Sequence, residues 1–140
     1  MRDTPYGMHR KLAGVSFDDA LDRVVTALKE EGFGVLTRID VAETLKTKIG
    51  ADFRPYVILG ACNPTLAHQA LSVDDNIGLM LPCNVVVAAL EDGSEVSVVR
   101  PHAMMDIADA AEVRDVADQA QAKLERALQA IAAHSGAAAE

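Results

Sequence analysis

Basic residues are scarce in this 140-residue chain, where 13 lysines and arginines stand against 21 acids for a net charge of -8. That balance argues against binding phosphate backbones or anionic membrane surfaces, both of which demand a basic face. Long apolar runs are missing too. No segment approaches the roughly eighteen apolar residues of a membrane span, and the start, MRDTPYGMHRKL, lacks the apolar stretch of a signal peptide. The expected address is therefore the cytoplasm, with neither nucleic acid nor membrane as partner. Cysteine is nearly absent, at two residues. In that compartment the two are expected as thiols, metal ligands or a transient redox pair, rather than a permanent disulfide. Also missing are a C-x-x-C pair, a glycine-rich phosphate loop, a metalloprotease helix and any Ser-His-Asp order, so nothing in the sequence establishes turnover.

What remains is a chain that is half hydrophobic and 24% charged, long enough to bury one core without staples. Tyr6 to Ala13 reads as a first strand. Ser16, three residues ahead of Asp19, starts a helix whose buried stripe is Phe17, Leu21, Val24, Val25 and Leu28, and Gly32 ends it. Strand 34–39 follows, then a second helix capped by Asp40, carrying Val41, Leu45 and Ile49 inward and closing at Gly50. YVILGAC (56–62) is a strand, Asn63 and Pro64 begin a short helix, and 72–82 is a connecting loop. CNVVVAAL (83–90) is a β-branched strand, and Asp92-Gly93 turns it into the returning strand 95–100.

A short turn through 102–106 leads to a final helix with Val113, Val116, Ala120, Leu124, Ala127 and Ile131 on one stripe, started near Asp109 and Glu112. The order β-α-β-α-β-α-β-β-α predicts an α/β (α+β) two-layer sandwich, its helices on one face of a mixed or mainly antiparallel sheet of about five strands. Residues 1–133 form the single expected domain and 134–140 a frayed, alanine-rich tail.

Three blocks, EEGFGVLTRIDVAETLKTKIG, YVILGACNPTLAHQAL and LPCNVVV, resemble the bacterial and archaeal family known as domain of unknown function 302. The likeness runs from about residue 15 to residue 100. It implies a compact two-layer α/β domain, free-standing or appended to other modules. It implies no established activity, cofactor or substrate, and assigns no catalytic residue.

Both cysteines precede an asparagine at a strand boundary: Cys62-Asn63 and Cys83-Asn84. If their strands are antiparallel neighbours, the thiols meet at one edge of the sheet; a parallel crossover would separate them by a strand length of about 20 Å, beyond any disulfide. Cys62 stands before a helix start, where free N–H groups favour a thiolate, although free cysteine is often a small buried hydrophobe. Asn63 reads as the helix cap and Cys83 as a core residue, while Asn84 must find partners if buried. His68 and His102 could complete a Cys2His2 set, but the spacings are loose, so neither metal nor cofactor is expected. His9 and His134 lie near the chain ends and carry no argument. Asp74 and Asp75 read as a solvated turn, and Glu43 with Lys46 as a helix-surface pair.

Three function classes follow: a small-molecule or anion-binding module at the Cys62-Asn63 helix start beside Asn84; a thiol-based redox or sulfur-handling protein using Cys62 with Cys83; and a homodimerising domain with structural cysteines. The binding module is the preferred reading.

Overall fold

In a computed structural model, residues 3–108 and 110–139 are described, with side chains through residue 133. Asp109 and the side chains of the expected frayed tail 134–140, that of His134 among them, lie outside the described residues. Five strands, β1 (Gly7–Ala13), β2 (Gly34–Asp40), β3 (Tyr56–Cys62), β4 (Cys83–Leu90) and β5 (Gly93–Val99), form one sheet in the order β1-β5-β4-β3-β2. Every neighbouring pair is antiparallel, as a two-layer α+β sandwich with short hairpins allows. No described helix is long and apolar enough to cross a membrane.

Local chemistry places the helices. Helix α1 (Phe17–Glu30) begins where Ser16 Oγ accepts the Asp19 N–H at 3.1 Å. Helix α2 (Val41–Ile49) begins where Asp40 Oδ1 accepts the Glu43 N–H, and α3 (Pro64–Val73) has Asn63 as its cap. After β5 come α4 (Pro101–Met105) and the long α5 (Ala111–Ala139). Side chains alternate along each strand, so Leu12, Val57, Leu59, Val85, Val87, Val96 and Val98 face the helices. They meet Leu21, Val24 and Leu28 of α1 and Val113, Leu124, Leu128 and Ile131 of α5 in one core. The α5 stripe read from the sequence is buried along its whole described length.

Several local expectations need correction. The Val41, Leu45 and Ile49 stripe of α2 does not point into the core: no α2 residue is buried, and Ile49 is 72% exposed. The strand order explains this, because β2 is an edge strand and α2 leans on β2 and β3 outside the main helix layer. Val25 is likewise exposed at the rim of α1. The stretch 72–82 is more ordered than a loop, since α3 runs to Val73 and a 3-10 helix spans Asp75–Met80. Residues 101–105 form a short helix rather than a turn, with Pro101 in its first turn.

Candidate functional site

The antiparallel pairing of β3 with β4 sets Ala61 opposite Cys83 and Gly60 opposite Asn84. Cys62 and Cys83 therefore lie at the same end of the sheet, both as free thiols. Cys83 is buried and Cys62 half-buried, and both border one apolar cavity with Phe33, Leu66, Met105 and Asn63. The cavity holds about 30 Å³. That is room for one water and no more. Burial pushes the Cys83 thiol up to about 11, and the neighbouring Cys62 thiol adds to the shift. Cys83 is thus held protonated at neutral pH.

Asn63 is fully employed. Its Oδ1 accepts the Leu66 N–H at 3.2 Å, and its Nδ2 donates to the Glu31 carbonyl at 3.5 Å. One amide thus caps α3 and ties it to the end of α1. Asn84, one residue beyond Cys83, points to the opposite face of the sheet and is exposed. The two Cys-Asn pairs therefore do not share one pocket: Cys62, Asn63 and Cys83 border the small cavity, while Asn84 lines a groove on the far face. This separation follows from the two-residue period of a strand, which turns adjacent side chains to opposite faces.

The candidate histidines do not join the cysteines. His68 is exposed on α3 and borders a shallow groove against α5 with Gln69, Glu112 and Asp115. His102 pairs with Asp118 of α5 across 3.3 Å at the surface. Among the described residues, no group of three or more His, Cys, Asp or Glu side chains is placed to hold a metal ion. Asp74 caps the following 3-10 helix, its Oδ1 accepting the Asn76 N–H, and Asp75 is exposed beside it.

The sheet face opposite the helices carries the richest array of polar groups. Reading across the strands, His9 stands beside Ser97, Val86 and Ile58; the next row holds Gly7, Val99, Asn84 and Gly60. A third row holds Lys11, Glu95, Ala88 and Tyr56. His9, Ser97, Asn84, Glu95, Tyr56 and Arg54 line a groove of about 300 Å³ there.

His9 is only 9% exposed although it lies on an edge strand. Its Nδ1 lies 2.7 Å from Ser97 Oγ and its Nε2 lies 3.1 Å from Thr4 Oγ1. The Thr4 hydroxyl donates to the Gly7 carbonyl, which leaves its oxygen to accept from Nε2–H. Both ring nitrogens are thus engaged by hydroxyls, Nδ1 by Ser97 and Nε2 by Thr4, which fixes the ring in place. A Cβ on Gly7 would lie 3.1 Å from His9 Nε2, so glycine leaves room for the ring.

The sequence reading passed over His9. The alternation of β1 hints that it shares a face with Gly7 and Lys11, but Ser97 lies 88 residues away and only the β1–β5 pairing brings it near.

Comparison with known proteins bears on the whole domain. The family model described as domain of unknown function DUF302 matches residues 8–131, a wider span than the three sequence blocks. Among solved structures, the chain is similar to an uncharacterized conserved DUF302 protein from Bacillus stearothermophilus, with 28% identity and a TM-score of 0.82. That match covers 89% of this chain and 97% of the Bacillus chain. No curated protein matches. With nearly all of its folded core inside the matched span, the chain belongs to the DUF302 family, a domain of unknown function.

Proposed function

We propose that this protein is a binding module for a small organic anion, and that the ligand lies on the open face of the sheet, over His9 and Ser97. The observation that carries the reading is His9 itself: a buried imidazole held in place by a hydroxyl at each ring nitrogen, at the floor of a groove. Binding sites commonly combine an apolar floor with a few fixed polar groups. Val86, Ala88 and Val99 supply the floor; Asn84, Tyr56 and the exposed guanidinium of Arg54 supply hydrogen bonds and positive charge. The Cys62-Asn63 helix start is the weaker site, because its cap is already spent and its cavity admits one water.

A titration with benzoate, followed by NMR of the His9 ring and the Asn84 side-chain amide, tests the reading. Benzoate is expected to shift both sets of signals, and uncharged benzamide to shift them less. Arg54→Ala should weaken benzoate binding about fivefold, the scale of one partly screened charge. Shifts centred on Cys62 and Asn63, or none at the groove, would remove it.

A second reading has one observation behind it: two free thiols border one cavity at the same end of the sheet. It supports thiol chemistry led by Cys62, with Cys83 kept as a thiol by burial. The raised Cys83 value has a consequence for stability. The unfolded chain releases the Cys83 proton near 9.0 while the folded chain keeps it to about 11. Stability is therefore unaffected below that window and falls as pH rises through it. Urea unfolding at about pH 8 and about pH 10.5 should show the wild type losing about 2 kcal/mol more than Cys83→Ala. Parallel pH profiles for the two proteins, or rapid alkylation of Cys83 at neutral pH, would show that this thiol is not held protonated.

A further inference from the structure

Among the described residues, the β2–α2 unit leaves an apolar patch exposed at the edge of the sheet. Leu36 and Ile39 of β2, Ile49 of α2 and Phe53 just beyond it are all exposed, while the stripes of α1 and α5 are largely buried. Val41, Leu45 and Ile49 keep the four-residue spacing of a packing face, yet none of the three is buried. An amphipathic helix gains stability from covering that face, and here the domain covers it only in part, with Val41 and Leu45 half-buried and Ile49 exposed. The adjoining strand β2 is also an edge, and an edge strand offers unpaired backbone groups to another chain.

Charge indicates what covers it. Two copies of a chain with a net charge of -8 repel one another over most of their surface. Residues 34–55 do not share that acidic excess, with four basic and three acidic side chains. Within β2 the order Arg38-Ile39-Asp40 is self-complementary. Arg38 and Asp40 face the same side of the sheet, opposite Leu59 and Val57 respectively. Set antiparallel to a second copy with Ile39 facing Ile39, each Arg38 meets the Asp40 of the other chain, twice over. The Arg38 guanidinium has no ion-pair or hydrogen-bond partner among the described residues. Asp40 uses Oδ1 on its own helix cap and has a second oxygen to offer. A two-fold contact of this kind uses the same patch on both chains, the commonest arrangement of soluble oligomers.

We propose that the β2–α2 edge is a two-fold interface with a second copy of this chain, sealed by the stripe of α2 and by paired Arg38–Asp40 contacts. The patch adjoins the His9 groove through Phe53, which packs on Tyr56 and Arg54, but Arg38, Asp40 and Ile49 lie outside that groove, so variants at these three positions test the interface without touching the groove lining.

Sedimentation equilibrium of the full chain over a micromolar concentration series tests it. The wild type is expected to reach twice the 14.9 kDa chain mass. Arg38→Glu and Ile49→Glu should each weaken the dimer tenfold or more, by setting like charges together or burying an unpaired one. Asp40→Asn, which keeps a capping side chain, should weaken it less. Circular dichroism melts report whether each variant folds, and Leu79→Glu, at an exposed site elsewhere, should leave the dimer intact. A wild type that stays monomeric overturns the proposal. So does an open-ended assembly, or a dimer that folded Arg38→Glu and Ile49→Glu leave unchanged.

Discussion

Replacing Gly93 with alanine is expected to lower the stability of this protein by about 3 kcal/mol. Gly93 begins β5 at the tight turn after Leu90 and pairs with Ala13 across the β1–β5 ladder. At its φ of 156°, an added Cβ would run into the Leu12 carbonyl oxygen and lie 3.0 Å from the Gly14 nitrogen. Both neighbours are backbone, so no rotamer change relieves the clash, and β1 must move away from β5. Gly14 N already donates to the Asp92 carbonyl at 2.8 Å, which locks that corner from the other side. The control is Gly14→Ala, at a φ of 74° with nothing within 4 Å of the new Cβ. There only the left-handed backbone is penalised, at about 1 kcal/mol. Urea unfolding of both variants separates crowding from backbone strain. Equal losses would mean that the close approach to Leu12 does not matter.

Leu124→Ala is the second large effect, with an expected loss of about 3 kcal/mol within a range of roughly 2–5. Leu124 is 0% exposed and lies in the middle of α5, which packs on α1, α3, α4 and β1. Its removal leaves a cavity between rigid elements, and their rigidity prevents the site from collapsing around the smaller side chain. Leu79, 89% exposed, is the matched control, and Leu79→Ala should change stability by no more than about 0.5 kcal/mol. If Leu124→Ala costs as little as Leu79→Ala, then α5 is not what holds the helix layer to the sheet.

Elements and caps were legible because their signals are local. Ser16, Asp40 and Asn63 each accept the N–H three residues on, so three residues decide each helix start. Asp92-Gly93 decides the last hairpin in the same way. The stripe on α5 was legible because helical periodicity is carried within the segment and its partners lie on both sides of it.

Faces and neighbours were not legible to the same degree. The stripe on α2 has the same periodicity as that on α5, yet none of it reaches the buried core, because burial depends on where β2 falls in the strand order. Asn84 and Cys83 are adjacent in sequence and separated by the sheet, while His9 and Ser97 are far apart in sequence and in hydrogen-bond contact. A one-residue change of register would turn every one of these side chains to the other face.

By itself, then, the sequence determined the order of elements, the helix starts and the existence of one aliphatic core, all consequences of short-range geometry and periodicity. Only the tertiary structure decided that β1 lies beside β5, that β2 is an edge, and that the polar groups gather on the open face around His9. The physical reason is that strand pairing joins residues through hydrogen bonds between distant segments, and those partners are chosen by the packing of the whole sheet.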